Sequence, residues 1–376
     1  MQSFRQAPTP PPRPLARPCL SKDVDHPGTR DDLPLFEALY VVSVEGGAPA
    51  EEGEMAAQPP ASSAEAYQRT IRPSAPRVIW RFPPPPPPPP GGGANASGSV
   101  REEDVLRFCF PDMECIKPVR PERFSAEEFV FVVTDSSGGK AYGFCRRVLP
   151  CGVGGRYDTG RLRLPECLCL VSRRPFFSIF NSVLAIAQAL RLLLWKPPSA
   201  ATALQNHFEI GDSAEGIIVA TDRARDDRSS IRSSSAAVNN LEELLGQLLA
   251  GGTGGRGVPD PGQELVACGL RFVRPVDEHL SLNDVPVTPL LVRLGPRNFL
   301  RLWSAILCER RVLLVAEDVR TLSACVHAAS AILYPFAWQH VYVPLLPTSM
   351  LAYVSAPMPF VIGVRYSQLE EVKQQP

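Results

Sequence analysis

Histidine is scarce in this sequence, with five in 376 residues, and neither sign of charge is in excess, since 39 basic side chains balance 39 acidic ones. A balanced chain lacks the basic face used by general nucleic-acid or membrane-surface binders, so composition argues against both classes. Ten cysteines are scattered with no CxxC pair and no His-x-His companion, which leaves no zinc-ligand spacing to read. Cys167 and Cys169 fall on one face of a strand, and nothing adjacent in sequence completes a metal set. The expectation is no metal and no cofactor, with free buried thiols in a reducing compartment. Hydrolase elbows, His-Glu-x-x-His, a Walker lysine after a strand and a dinucleotide fingerprint are all missing. Gly138-Gly139-Lys140 lacks the earlier glycine and the following hydroxyl of a phosphate loop. The chain does not read as an enzyme. The longest apolar stretch, Val183 to Trp195, contains Gln188 and Arg191 and is too short to cross a bilayer. The amino terminus is polar and proline-rich, not a secretion signal, so a cytoplasmic chain is expected.

Proline is what the sequence has in abundance: 41 residues, about twice the usual share of ~5%. They are clustered, which marks low-complexity segments. Residues 1–31 read as a disordered proline-rich arm. Within it Arg5, Pro8 and Pro11 have the spacing of one edge of a polyproline II helix, either an unselected flexible arm or a ligand for a polyproline-reading domain. Phe36 to Val44 is the first strong strand signal. Low-complexity insertions are expected at 45–70 and 83–100, on either side of a strand at Arg77 to Phe82. Eight consecutive prolines, 83–90, end that strand because they offer no donors. Order resumes at Val105 to Phe110. Glu128 to Thr134 and Lys140 to Arg147 read as a hairpin around Asp135-Ser136-Ser137-Gly138-Gly139. A strand at Cys167 to Ser172 precedes a helix with Pro175 in its first turn. On that helix Phe176, Phe180, Val183, Leu184, Ala187, Leu190 and Leu194 form one apolar face. Residues 196–262 read as a flexible linker with a helix candidate at Val238 to Leu249. Glu264 to Val273 is expected to be a strand that opens a second lobe.

From Arg293 to Arg365 helix-like and strand-like segments alternate. Phe299, Leu300, Trp303, Ile306 and Leu307 recur at helical spacing between Arg297 and Cys308. Val312 to Ala316 is a short apolar run of the kind that is buried on both faces. Val319 to Tyr334 is helical until Pro335 stops it, and His340 to Leu346 is a second buried strand. Thr348 or Ser349 can cap a short helix to Ser355, and Phe360 to Val364 is a third strand. This alternation is the grammar of a parallel α/β sheet. The fold class is therefore α/β in two lobes, an amino-terminal α+β lobe over 32–195 and a carboxyl-terminal parallel α/β lobe over 263–376.

LCERRVLLVAED, LYPFAWQHVYVPLLP and SAPMPFVIGV resemble the central segment of a DENN domain. Upstream, LFEALYVVSV, RFCFPD, FVFVVTDSSGGKAYGFCRRVLP and LPECLCLVSRRPFFSIFNSVL are similar, in motif order, to the upstream part of DENN proteins, closest to the type-2 subfamily. The resemblance covers roughly 33–372, excluding the insertions. It implies a longin-like fold for the first lobe and guanine-nucleotide exchange on a Rab-family GTPase, in trafficking at vesicle membranes that the chain reaches through its Rab. Exchange needs no cofactor and no covalent chemistry, only better binding of the nucleotide-free GTPase than of the nucleotide-bound form. The family's motifs place candidate Rab contacts at Phe110, Pro111 and Asp112 on one lobe and at Glu309, Arg310, Trp338, Gln339 and His340 on the other. Read as residues, His340 is either catalytic or a hydrogen-bonded strand-start residue. Glu309, Arg310 and Arg311 are either an interface cluster or an ion pair ending a helix.

The sequence departs from the family in stopping at Glu370 to Pro376, where DENN proteins continue into a helical downstream portion. This makes a truncated domain the expectation, with the third strand as an unprotected edge. A non-catalytic Rab-binding adaptor is the alternative function. A GTPase-activating role would need an exposed arginine, for which Arg173-Arg174 is the available pair.

Overall fold

A computed structural model describes residues 34–44, 46–47, 72–85, 100–120, 123–134, 138–150, 163–194, 245–246, 264–267, 270–273 and 284–375. The chain divides into Met1–Leu33 and Pro34–Pro376, and every described residue belongs to the second unit. The arm with Arg5, Pro8 and Pro11 lies outside the described residues. So do most of both insertions, the Asp135-Ser136-Ser137 turn, and the 238–249 helix candidate apart from residues 245–246.

The strands are β1 (Ala38–Ser43), β2 (Gly46–Gly47), β3 (Arg72–Pro73), β4 (Arg77–Phe82), β5 (Glu127–Thr134), β6 (Lys140–Val148), β7 (Glu166–Ser172), β8 (Glu264–Ala267), β9 (Leu270–Val273), β10 (Val312–Ala316), β11 (Val341–Val343) and β12 (Phe360–Arg365). The α-helices are α1 (Glu102–Cys109), α2 (Phe177–Leu194), α3 (Thr288–Leu307), α4 (Val319–Ala331) and α5 (Leu369–Lys373). Five strands form an antiparallel sheet in the order β4-β1-β7-β6-β5. Its central strand β7 is buried throughout. The expected hairpin is β5–β6, with Gly138 at φ 84° where the turn re-enters β6, a conformation that costs glycine little. Helix α2 packs on β6 and β7 with the expected face inward: Phe176, Phe180, Val183, Leu184 and Ala187 are all buried. Each such large side chain contributes about 1.5–3 kcal/mol.

The second sheet is parallel, in the order β10-β12-β11. Asp318 caps α4 by accepting a hydrogen bond from the Thr321 amide at 2.6 Å, and the helix then packs on β10 and β12. One apolar core, from Leu35 to Val361, runs under both sheets, and a smaller one (Leu346, Leu351, Phe360, Ile362, Val364) fills the other face of the parallel sheet.

Several expectations need correction. The third strand, β12, is the centre of its sheet, not an edge, because both β10 and β11 pair with it. As an edge strand β10 is only partly buried, with Val315 exposed, although its apolar run reads as a doubly covered strand. The 340–346 strand shortens to Val341–Val343. Pro344, which has no N–H, ends the ladder, and the Leu346 amide instead donates across to the Gly363 carbonyl at 2.8 Å. Gly363 has no room for a side chain, because a Cβ there would collide with the Pro344 carbonyl. The 264–273 strand is a two-strand hairpin, β8–β9, with no partner in the parallel sheet among the described residues. Neither Thr348 nor Ser349 caps the 3-10 helix Thr348–Ser355, which starts from Pro347. The Thr348 hydroxyl is engaged by Pro111, Glu114 and Gln368 instead. On α3 the buried residues are Leu290, Leu302 and Ile306. Leu300, Trp303 and Leu307, expected on the core face, are exposed. The helix is broken at Gly295 (φ 69°) before Pro296, so the segment read as starting at Arg297 is its second half.

Candidate functional site: an interface at one end of the parallel sheet

The parallel sheet has two unlike ends, and the candidate contacts divide between them. At the carboxyl ends of the strands lie Phe110, Pro111 and Asp112, all buried. The Asp112 carboxylate accepts from Arg147 Nη2 and from Arg365 Nη1, each at 2.5 Å. Arg147, on β6, is itself buried and also donates to the Cys109 carbonyl. Its guanidinium lies 5.0 Å from the ring centres of both Phe110 and Phe129. Burial opposes its charge, but the neighbouring groups, chiefly the Asp112 carboxylate with Glu127 behind it, together hold the Arg147 pKa above its ordinary value. Arg365, at the end of β12, also donates to the Glu317 carbonyl. Pro111 offers its carbonyl to the Thr348 amide and hydroxyl at 3.3 Å. These three residues thus clamp the antiparallel sheet to the parallel one and present no exposed surface.

The amino ends of the strands differ. Helix α3 closes with bonds from the Glu309 amide to the Ile306 carbonyl (2.9 Å) and from the Arg310 amide to the Ala305 carbonyl (3.0 Å), with Glu309 at φ 51°. This is the left-handed closure in which glycine is usual. Glu309 is exposed, and its carboxylate lies 3.2 Å from His340 Nε2, which brings together residues 31 apart in sequence. Arg310 and Arg311 are exposed and have no ion-pair partner among the described residues. Gln339 is exposed and donates to the Ala337 carbonyl. Trp338 is buried: its Nε1 donates to the Val341 carbonyl at 3.0 Å, and its ring meets the His340 ring edge-on at 5.1 Å. Trp338 therefore supports the site from beneath. Sequence reading missed its exposed apolar members. Tyr334 (52% exposed) and Phe336 (70% exposed) lead into β11, and Met358 (51% exposed) precedes β12. The signal was present as apolar residues around Pro335 and Pro359, where no regular element can bury them. Aromatic residues, methionine and arginine together have the composition of an interaction surface. The two ends stand about 16 Å apart, the length of a five-residue strand.

Between the sheets His327 is buried against Phe177. Its Nε2 donates to the Val130 carbonyl at 3.0 Å, and the Tyr342 hydroxyl donates to its Nδ1 at 2.9 Å. Burial lowers the His327 pKa to about 4 despite the bond to Val130, so the ring is neutral and structural. The Ser323 hydroxyl accepts from the Val130 amide (2.8 Å) and donates to its carbonyl (2.9 Å). Helix α4 thereby occupies the open edge of β5. Arg173 pairs with Glu37 at 2.8 Å and Arg174 is buried, so neither is exposed on its loop as a GTPase-activating arginine would be.

The region that holds the clamp matches the uDENN domain model over residues 76–148, and the region that holds the parallel sheet matches the DENN (AEX-3) domain model over 228–376. The chain belongs to the DENN-domain family. It is 33% identical over 276 residues to human DENN domain-containing protein 2B, covering 73% of this chain and 20% of that protein. Against mouse DENN domain-containing protein 2D it is 31% identical over 284 residues, 74% of this chain and 50% of that one. Against mouse DENN domain-containing protein 1C it is 34% identical over 285 residues, 72% and 30%. The DENN chain thus spans between a fifth and a half of the length of these relatives. No helix among its described residues is long and apolar enough to cross a membrane.

Proposed function

We propose that this DENN chain is a guanine-nucleotide exchange factor for a Rab-family GTPase, and that the GTPase docks against the amino-end rim of the parallel sheet. Residues 32–195 act as a longin-like upstream lobe and 263–376 as the central α/β lobe, joined by the 196–262 linker. The observation that carries this reading is the rim itself, where Glu309, Arg310, Gln339 and His340 are gathered with exposed Tyr334, Phe336 and Met358 inside the region matched by the DENN model. An exchange factor works by differential affinity for two states of its partner, and an exposed rim of charged and aromatic groups can supply such affinity without covalent chemistry. Phe110, Pro111, Asp112 and Trp338 then act indirectly, by holding the lobes in register. The chain reaches vesicle membranes through its Rab, and Arg5, Pro8 and Pro11 dock to a polyproline-reading domain.

The test is release of fluorescent GDP from a panel of purified Rabs, with the chain alone and with a version extended by a downstream DENN portion. Faster release from one or two Rabs that is lost in Phe336→Ala and Arg310→Ala supports both the activity and the rim. Binding without release from either version would make the chain an adaptor, and no binding by either would sink the proposal.

A further inference from the structure

Three elements that are far apart in sequence bring their cysteines to one point in the core. Cys109 ends α1, Cys145 lies on β6 and Cys167 on β7, and their Sγ atoms all lie within 4.8 Å of one another. All three are buried, at 0–1% exposure. Cys169 is the direct cross-strand partner of Cys145, so it lies on the face of the sheet that carries Cys145 and Cys167.

We propose that Cys109, Cys145 and Cys167, with Cys169 alongside on the same face of the sheet, form a buried structural site for a thiophilic divalent cation of the zinc class. Tetrahedral zinc holds sulfur at about 2.3 Å, which sets sulfur atoms about 3.8 Å apart, so Cys109, Cys145 and Cys167 close on a cation with movements of about 1 Å or less. Thiolate is the soft donor that selects zinc over hard cations. Zinc on three or more thiolates carries a net negative charge, and burial of that charge requires a cation nearby. Arg147 supplies one: it is buried and is the cross-strand partner of Cys167. A disulfide fits the arrangement less well. Three mutually adjacent thiols single out no pair, and none is open to an oxidant. Because the site is enclosed, the cation is taken up as the chain folds, and it ties α1 to β6 and β7.

The experiment is metal analysis of the natively purified full chain after gel filtration in chelator, alongside Cys167→Ser and the exposed-cysteine control Cys308→Ser. The expected result is about one zinc per chain in the parent and in the control, falling at least tenfold in Cys167→Ser. Should that variant fail to fold, the parent still decides. Chain produced with cobalt in place of zinc should show the visible absorption of tetrahedral cobalt and its near-ultraviolet thiolate band. A folded parent chain with no bound zinc and no cobalt–thiolate absorption would overturn the site.

Discussion

The two ends of the parallel sheet carry motifs that look alike in sequence, short runs of charged and aromatic residues beside proline, and the fold uses them in opposite ways. At the carboxyl end Asp112 is buried between two arginines. At the amino end Glu309 is exposed, with His340 as its ion-pair partner among the described residues. The lesson is that a charged motif reports function only once its burial is known. A desolvated charge has to be paired, whereas an exposed one is available to a partner.

The largest expected effect breaks the comparison at its buried side. Asp112→Ala leaves Arg147 buried without its principal counter-charge and should lower stability by about 3–5 kcal/mol, read from urea denaturation. Arg310→Ala at the exposed end should shift stability by less than about 0.5 kcal/mol in the same assay while reducing Rab binding. Equal effects of the two would contradict the division of roles. Acid gives the next largest change. The folded-state pKa of His327, about 4, lies below the ordinary 6.5, so only the unfolded chain takes up the proton between these values. The contribution is complete above pH 6.5 and is lost as pH falls toward 4. At 1.36 kcal/mol per unit it amounts to roughly 3 kcal/mol. The stability–pH slope between pH 6.5 and 4 should flatten in His327→Phe, and an unchanged slope would rule out His327 as its source. Ser323→Ala removes the hydroxyl that accepts from the Val130 amide and one of the two donors to its carbonyl, leaving His327 there, and should cost about 1–3 kcal/mol, with faster hydrogen exchange at the Val130 amide. The smallest effect sharpens the exposed side. Glu309→Gly relieves a left-handed conformation and should stabilise the chain by about 0.5–1 kcal/mol. Loss of GDP release from the Rab in that more stable protein would show that Glu309, through its carboxylate or its left-handed backbone, is kept for the partner.

Much of the fold was legible in the sequence because local pattern decides it. The β5–β6 hairpin, β10, α4 and the buried face of α2 follow from periodicity and from turn residues. Order in the sheet was not legible: nothing local in Phe360 to Val364 says that β12 sits between β10 and β11. Burial of short strands was misread for the same reason, since an apolar run such as Val312 to Ala316 suits an edge that α4 covers on one face. Of the site, the gathering of Glu309 and His340 was within reach, as both fall in strand-entry motifs. The burial of Phe110 and Asp112 depends on Arg147 and Arg365, 35 and 253 residues away from Asp112, and no spacing rule reaches that far. The cysteine cluster was hidden likewise, because its members come from α1, β6 and β7 and only Cys167 and Cys169 are close in sequence.

The seal that α4 places on β5 has a consequence for biogenesis. Ser323 and His327 follow Val130 by 193 and 197 residues. At a synthesis rate of ~5–20 residues per second, the strand β5 therefore waits roughly 10–40 s on the ribosome with that edge bare. During that interval β5 can pair with any extended chain that comes near. The nascent protein is thus most prone to aggregation before the serine and histidine that cover this edge have been made, and chaperone demand should peak in that window.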